Sequence, residues 1–227
     1  MAPMLCLLLD NWILYKVYLR VICEINAVKY ADDRRCDLIN TKNLLLYTVE
    51  AGEYELLETD YAHPKLWLNR GFSDPHKYFL NNRNPIQYRI NQVRTDPKAA
   101  KYLLRVAVLK ESMEIIGSAG FHNLPDENGM IEIGFGIDPT FQNKGYGKQL
   151  LHGMWNWVVK DPRVETLRYT VSPSNIISKS IIQKLKFNLV GEQVDDVDGV
   201  EEVYELNINE YKEIYYKTLW RIIQDTI

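Results

Sequence analysis

The sequence predicts an α/β (α+β) fold in which a central mixed, mostly antiparallel sheet is flanked by helices. Two apolar runs of strand length, residues 114–121 and 130–137, are separated by turn residues, as in antiparallel strands that follow one another. A helix-like run at 148–160 then precedes a further strand-like run at 166–171. Because strand and helix alternate late in the chain, the sheet should be mixed, with helices crossing it.

The chain has 227 residues, enough for one sizeable domain with or without an appendage, and it can bury a core without disulfides. Its formal net charge is -3, so it has no overall basic field. Neither nucleic acid nor an anionic membrane is therefore expected as its main partner. This composition is typical of a small soluble enzyme.

The three cysteines, Cys6, Cys23 and Cys36, all fall near the N-terminus. Their number is odd, and they form no C-x-x-C pair and have no histidine cluster nearby. We interpret them as reduced thiols and expect no metal.

Residues 1–40 are predicted to be an N-terminal extension. No basic stretch precedes the apolar run at 4–9, and charged residues from Asp10 onwards interrupt it well before the roughly 20 apolar residues of a spanning helix. We therefore expect no signal peptide, no membrane span and a cytoplasmic location. Apolar residues recur at helical spacing over 14–25, which indicates either an amphipathic docking helix or an extension without a role.

The main domain is predicted over residues 41–208 and should open with a strand at 44–49. Residues 50–67 carry charges and aromatic side chains in a helical or irregular pattern. Residues 69–90 are rich in Asn, Gly, Pro and aromatic residues, so loops interrupted by short helices are expected there. Such loops often line a substrate entrance.

Three strands in series should follow, at 102–109, 114–121 and 130–137. The helix at 148–160 should end at Asp161-Pro162, because proline disfavours a helical conformation in the residue before it. Its apolar residues share one face that should press on the sheet, namely Leu150, Leu151, Met154, Trp155 and Val158.

The strand at 166–171 can pair alongside residues 131–137, and a helix at 176–186 and a strand at 200–206 complete the domain. Residues 209–227 are predicted to form a C-terminal helix, since apolar residues recur there at helical spacing. That helix is a candidate oligomerising or partner-binding element, which would suit a homodimer.

A glycine loop, residues 142–147, joins the third strand of this series to the helix. Gly145 and Gly147 remove two side chains, so successive backbone N–H groups can converge on an anion at the positive end of the helix. The loop is therefore a candidate pyrophosphate cradle, with an ordinary strand-to-helix turn as the alternative. Lys144 and Lys148 would either attract the phosphates or be solvated residues at the helix start.

Two other nucleotide-binding classes are disfavoured by the same loop. It follows several antiparallel strands and lacks the full G-x-G-x-x-G of an opening βαβ unit, which argues against a dinucleotide oxidoreductase. No Gly-Lys-Ser or Gly-Lys-Thr follows it to hold magnesium, which argues against phosphoryl transfer.

Three motifs stand in a fixed order along the chain: I-E-I-G-F-G-I at 131–137, Q-x-x-G-x-G at 142–147, and V-x-P-x-N-x-x-S at 171–178 followed by K-L-K-F at 184–187. Together they resemble the GNAT N-acyltransferase superfamily over roughly residues 41–206. The N-x-x-S motif before K-L-x-F is similar to the RimJ and RimL branch of ribosomal-protein N-terminal acetyltransferases, although Lys186 stands where that branch usually has glycine.

The resemblance implies a sheet with two splayed strands and acetyl-coenzyme A as the acyl donor. The pyrophosphate would lie on the amides of the glycine loop, and the pantetheine arm between the splayed strands near Ile137 and Val171. The residues expected to bind the donor are Phe135, Gly136, Ile137, Gln142, Asn143, Lys144, Gly145, Tyr146, Gly147, Lys148, Asn175 and Ser178.

An amine must be neutral to attack a thioester, so a base is needed, and Glu132 is the first candidate. It lies in an otherwise apolar strand, where partial burial would raise its pKa toward neutrality, although a structural carboxylate is the alternative. His122 is the second candidate, for which a structural role is favoured.

The resemblance also assigns the remaining catalytic groups. A backbone N–H within 135–137 would stabilise the oxyanion, and Ser178 would donate to the leaving thiolate. Asn175 would bond the pantetheine amide or a water, or it could cap the helix while Ser178 satisfies a first-turn amide. Tyr169 or Tyr204 could replace Ser178 as the acid.

The acceptor is expected to be a peptide N-terminus or a small weak amine. An α-amine titrates near 8 and a lysine amine near 10.4, so deprotonating the lysine costs roughly 3 kcal/mol more at neutral pH. A small amino metabolite or an aminoglycoside stays open, as does a catalytically silent acyl-coenzyme A sensor. Aromatic residues expected to shape the acceptor mouth are Trp67, Phe72, Tyr78 and Phe79.

Overall fold

The computed structural model describes residues 38–81, 84–196 and 199–215. These residues belong to one compact unit, Asp37–Ile227. The other unit, Met1–Cys36, lies outside the described residues, and so does the amphipathic helix predicted at 14–25. The division into 1–40, 41–208 and 209–227 stays a prediction.

Within the described residues, eight strands form one sheet in the order β1-β2-β3-β4-β5-β6-β8-β7. Among the strand pairs of the described residues, only β5 and β6 run parallel, so the predicted mixed, mostly antiparallel sheet is confirmed. The strands are β1 (Ile39–Asn40), β2 (Leu44–Thr48), β3 (Arg105–Leu109), β4 (Glu114–Phe121), β5 (Met130–Ile137), β6 (Thr166–Val171), β7 (Asn188–Asp195) and β8 (Gly199–Asn207).

The helices cover both faces of the sheet. They are α1 (Ala51–Thr59), α2 (Tyr78–Asn81), α3 (Asn84–Thr95), α4 (Ala100–Leu103), α5 (Tyr146–Val158), α6 (Ile176–Lys184) and α7, residues 208–215. Residues 216–227 of the predicted C-terminal helix lie outside the described part of the chain.

Two hydrophobic cores lie on opposite faces of the sheet because side chains alternate along each strand. On β2, for example, Leu44 and Leu46 belong to one core and Leu45 to the other. The first core contains the predicted face of α5, with Trp155 fully buried. The second core is covered by helices α1 to α4.

The structure departs from the predicted elements at three places. Tyr102 and Leu103 end α4 rather than open a strand, because Pro97 begins a helical turn that Asp96 caps by accepting from the Lys98 N–H at 3.0 Å. The segment 69–90, predicted as loops interrupted by short helices, contains the short helix α2 and the start of α3, which at 12 residues is longer than expected and has its apolar face in the second core. Strand β7 was not predicted, since most of its side chains are exposed and give little apolar pattern.

Among the described residues, no helix is long and apolar enough to cross a membrane. The cytoplasmic location and the homodimer stay predictions.

Candidate active site

Strands β5 and β6 run side by side at one end and diverge at the other. Their parallel pairing extends only from Met130 to Glu132 on β5, whereas β5 stays paired with β4 as far as Ile137. The splayed strands are thus confirmed. Strand β6 lies next to β5 as predicted, and it pairs with residues 130–132 alone. Phe135 on β5 and Tyr169 on β6 pack together on the face of the first core, with their ring centroids 5.9 Å apart.

The hydrogen-bond alternation of β5 determines which backbone groups face this gap. The His122 N–H donates to the Glu132 carbonyl at 2.8 Å, so the even-numbered residues of β5 bond to β4. The odd-numbered residues Phe135 and Ile137 therefore direct their N–H groups to the gap. The Ile137 carbonyl accepts from Gln142 Nε2 at 2.9 Å.

The glycine loop enters α5 through two left-handed residues, Asn143 with φ of 59° and Gly145 with φ of 79°. The first helical bond runs from the Gln149 N–H to the Gly145 carbonyl at 3.2 Å. The N–H groups of residues 146–148 precede that bond and have no acceptor within the helix. They form, with the positive end of the helix, a site suited to an anion.

Gly147 brings this helix end close to β5. A Cβ at position 147 would lie 3.2 Å from Cε2 of Phe135, tighter than ordinary van der Waals contact. The missing side chain thus lets the first turn of α5 approach the splayed end of the sheet.

A cleft of about 840 Å³ connects the splay, the glycine loop and α6. It contains every residue expected to bind the donor except Lys144, whose ammonium lies 5.1 Å from the centre of the Phe141 ring. The residues that line the cleft are Phe135, Gly136, Ile137, Pro139, Phe141, Gln142, Asn143, Gly145, Tyr146, Gly147, Lys148, Asn175, Ile176, Ile177, Ser178, Ser180, Ile181 and Lys184. We name it the donor cleft.

Asn175 and Ser178 meet at the start of α6. The Asn175 Oδ1 accepts from the Ser178 N–H at 3.1 Å, which is the capping arrangement foreseen as an alternative. Burial raises the pKa of Tyr169, and a hydrogen bond from Ser178 opposes that shift. The Tyr204 hydroxyl donates instead to Glu202 at 2.6 Å, so of the two tyrosines Tyr169 is the one coupled to Ser178.

A second cleft, of about 540 Å³, lies on the other side of β5. It shares Phe135 and Gly136 with the donor cleft, so the two clefts meet at the splay point. Its lining residues are Tyr78, Leu80, Asn81, Ile86, Arg89, Leu103, Leu104, Ser118, Ala119, Gly120, His122, Gly134, Phe135 and Gly136. We name it the acceptor cleft.

Two glycines of β5 keep the wall of the acceptor cleft open. A Cβ at Gly136 would lie 2.8 Å from the Tyr78 hydroxyl oxygen, and one at Gly134 would lie 3.1 Å from Nε2 of His122. That second distance also places the His122 Nε2 beside β5.

Glu132 lies on the same strand and bonds to two side chains. Its Oε1 accepts from the Thr170 hydroxyl at 2.7 Å and lies 3.3 Å from Nδ1 of His122. The Glu132 side chain is 14% exposed, whereas that of His122 is 45% exposed. The imidazole therefore stands between the carboxylate and the cleft.

The expectation that burial raises the pKa of Glu132 is wrong. Burial is the largest single influence and would raise it, but hydrogen bonds from His122 and Thr170 and the Arg168 charge together hold the pKa below its ordinary value. Glu132 is thus a persistent anion rather than a carboxyl group close to neutrality.

The aromatic residues expected at the acceptor mouth divide into two groups. Tyr78 lines the acceptor cleft, with its hydroxyl 3.1 Å from Ser118 Oγ. Trp67, Phe72 and Phe79 line a separate cavity of about 190 Å³ and belong to the second core.

Sequence reasoning missed Arg89, which is buried and lines the acceptor cleft. A signal existed, because Ile86, Arg89, Ile90 and Val93 recur at helical spacing and place the cation on the apolar face of α3. In the described part of the chain, no group of His, Cys, Asp and Glu could hold a metal ion.

The acetyltransferase (GNAT) domain family matches residues 53–188, which is more than half of the chain. The chain therefore belongs to the GNAT acetyltransferase family, and the predicted superfamily is confirmed.

Two curated proteins of this kind are similar in sequence. The uncharacterized N-acetyltransferase YjdG of Bacillus subtilis (strain 168) is 36% identical over 84 residues, which cover 37% of this chain and 50% of YjdG. The matched segment thus spans half the length of that relative. The uncharacterized N-acetyltransferase p20 of Bacillus licheniformis is 23% identical over 68% of this chain and 84% of p20.

A solved structure of RimL, a ribosomal L7/L12 alpha-N-protein acetyltransferase in complex with coenzyme A, has a similar fold. The TM-score is 0.53 at 17% identity, and the match covers 76% of this chain and 99% of RimL. At this identity the likeness concerns the fold alone, and it confirms the GNAT-like arrangement of sheet and helices.

Proposed function

We propose that this protein transfers an acetyl group from acetyl-coenzyme A to a primary amine by direct attack within a ternary complex. The observation that carries the proposal is the meeting of the two clefts at Phe135 and Gly136, where the backbone of β5 is exposed to both. An acyl group held on one side can there be reached by an amine held on the other.

The donor cleft fits the parts of coenzyme A in order. The N–H groups of residues 146–148 and the positive end of α5 bind the pyrophosphate, with Lys148 adding positive charge. The extended pantetheine arm pairs with the Phe135 and Ile137 N–H groups in the gap beside β6, as an added strand would.

His122 acts as the base. Glu132 orients the imidazole and stabilises the positive charge that the imidazole gains with the proton. With Nδ1–H donated to the Glu132 carboxylate, the His122 Nε2 carries the lone pair and takes the proton from the acceptor's ammonium. This division of work follows from exposure, because His122 lines the acceptor cleft and Glu132 lies behind it. Glu132 remains a catalytic candidate through its charge, with Thr170 fixing its orientation.

The neutral amine attacks the thioester carbonyl, the C–N bond forms and the C–S bond breaks. A β5 N–H within residues 135–137 stabilises the oxyanion on the way. The leaving thiolate takes up the proton that the attacking nitrogen releases, so the products are the amide and the free thiol. The Ser178 hydroxyl, beside Tyr169, donates a hydrogen bond to this thiolate, and the Asn175 amide donates to the pantetheine while its Oδ1 caps α6. An α-amine suits a single histidine base better than a lysine amine does, because less free energy is needed to deprotonate it. A peptide N-terminus, as in the ribosomal-protein acetyltransferases of similar fold, and a small α-amine both satisfy this condition.

The test is acetyl-coenzyme A consumption, with the released thiol as readout, across peptide N-termini, amino metabolites, polyamines and aminoglycosides. We expect turnover with one acceptor class, a large loss in Glu132→Gln with coenzyme A affinity unchanged, and a lower kcat in Ser178→Ala. Tight binding of coenzyme A without turnover on any acceptor would overturn the proposal and point to an acyl-coenzyme A sensor.

A further inference from the structure

Arg89 places a buried cation at the acceptor cleft. The residue is 7% exposed, lies on α3 and lines the cleft together with His122. Its Nη1 donates to the Phe121 carbonyl, which belongs to the residue just before His122.

No carboxylate among the described residues lies within ion-pair distance of this guanidinium. Other arginines of the same region behave differently: Arg70 pairs with Glu53, and Arg94 on the same helix pairs with Glu58. Burial, which is opposed only by the two nearby tyrosines Tyr54 and Tyr88, lowers the pKa of Arg89. A buried charge without a counterion is costly unless something else supplies the opposite charge.

The cleft therefore presents two groups of opposite chemical character. His122, with the Glu132 anion behind it, suits an ammonium group, and Arg89 is a cation. Both lie close to the end of β4, because Arg89 donates to the Phe121 carbonyl and His122 is the next residue. A single small molecule that carries an amine and an anion on neighbouring atoms can contact both.

We propose, on the basis of the function proposed above, that Arg89 binds a carboxylate of the acceptor and that the acceptor is a free α-amino acid. The planar guanidinium presents paired N–H donors that match a carboxylate. A peptide N-terminus has an amide carbonyl at the same position and offers no charge to Arg89. The structure thus favours the acid over the peptide as acceptor.

The experiment compares free amino acids with their amides, for example serine with serinamide and methionine with methioninamide. Each is measured as kcat/KM for acetylation, and by calorimetric binding to the protein loaded with coenzyme A. We expect the acids to bind ten- to a hundredfold more tightly than the amides, the range of a hydrogen-bonded charge. Equal binding of acid and amide, tighter binding of the amide, or binding of neither would overturn the proposal.

Arg89→Met should abolish the preference for the acid over the amide. Arg89→Lys, which keeps a positive charge, should retain part of that preference. The acid-to-amide ratio of kcat/KM is compared between the wild type and Arg89→Met. The two amines differ in pKa, but this difference affects both proteins equally and therefore cancels in the comparison. Arg94→Met is the matched control, because Arg94 is more exposed, lies on the same helix and is not a lining residue of the cleft. Unchanged ratios in a folded Arg89→Met protein would overturn the proposal, and if that variant does not fold, the wild-type comparison decides.

The two proposals fail in different ways. If amides are acetylated as well as acids, the protein is an acetyltransferase but Arg89 does not select its acceptor. If acids bind selectively and nothing is acetylated, Arg89 does bind carboxylates and the proposed reaction is wrong.

Discussion

Glu132 is held by two side chains from different strands, Thr170 on β6 and His122 just after β4. These contacts depress its pKa, so the carboxylate takes up a proton at a lower pH than an ordinary carboxyl group does. A group in this state is a poor proton acceptor and a good partner for an imidazolium. The residue-level geometry therefore assigns proton transfer to His122 and charge stabilisation to Glu132 in the proposed reaction.

At this scale we expect His122→Gln and Glu132→Gln each to lower kcat by about tenfold or more, because each removes one part of a single unit. The double variant should be little worse than either single variant, since such groups act together. A double-mutant cycle on kcat/KM with one acceptor measures this.

The control for that cycle is Glu58→Gln. Glu58 pairs with Arg94 and lines neither cleft, so its loss should leave kcat unchanged. Additive losses in the cycle, or full activity in His122→Gln, would contradict the assignment.

At the scale of elements, the site is built where one strand and one helix end meet. Strand β5 is a wall of both clefts, since it has Phe135 on its α5 side and Gly134 and Gly136 on the acceptor side. Helix α5 brings its first turn to the splay because Gly145 adopts φ of 79° and Gly147 has no side chain to meet Phe135. The left-handed conformation of the loop therefore also positions the N–H groups that are suited to an anion.

We expect Gly145→Ala to lower the free energy of unfolding by about 1 kcal/mol, the cost of a left-handed conformation with a Cβ. It should also weaken coenzyme A binding by about tenfold, since the shifted backbone misplaces the N–H groups of the first turn. Chemical denaturation and calorimetry check the two effects.

Gly71→Ala is the matched control for this prediction. Gly71 has φ of 73° and nothing within 4 Å of an added Cβ, just as at Gly145, but it does not line the donor cleft. It should show the same loss of stability with coenzyme A affinity unchanged. Equal affinities in both variants would contradict the role of the loop.

At the scale of the whole molecule, one sheet separates two cores, and a polar cluster joins the end of α5 to α4. Asp161, just after α5, accepts hydrogen bonds from Arg163 and from Tyr102 of α4. The Arg163 hydrogen bond is the main reason that the pKa of Asp161 is strongly lowered. Burial, with the Asp161 hydrogen bond, raises the pKa of Tyr102 to about 12.

A carboxyl group whose pKa is depressed on folding stabilises the protein above its ordinary pKa of about 4 and loses that contribution as the pH falls. We expect Asp161→Asn to be less stable than the wild type at pH 7, with the difference shrinking steadily below about pH 4. Urea midpoints across this range measure the effect. Glu127→Gln, at an exposed carboxylate, is the control, and a difference independent of pH would contradict the prediction.

Much of the fold was predictable because its signals are local. The apolar stripe of α5 and the short apolar runs of β4, β5 and β6 each reveal their element within about ten residues of sequence. Strand β7 was not predictable. It forms because it pairs with β8, whereas its own side chains are mostly exposed and show little apolar pattern. Tyr102 was assigned to the wrong element because a capped turn before it overrides its strand propensity.

By itself, the sequence determined the family, the mixed sheet and most of the residues that line the donor cleft, because the glycine loop and the N-x-x-S motif are short contiguous segments that carry their own backbone geometry. Only the tertiary structure decided the acceptor side. The contacts of His122, Glu132 and Thr170 join residues far apart in the chain, and Arg89 reaches the Phe121 carbonyl across 32 positions. Such contacts depend on strand register and helix packing, which no local pattern specifies.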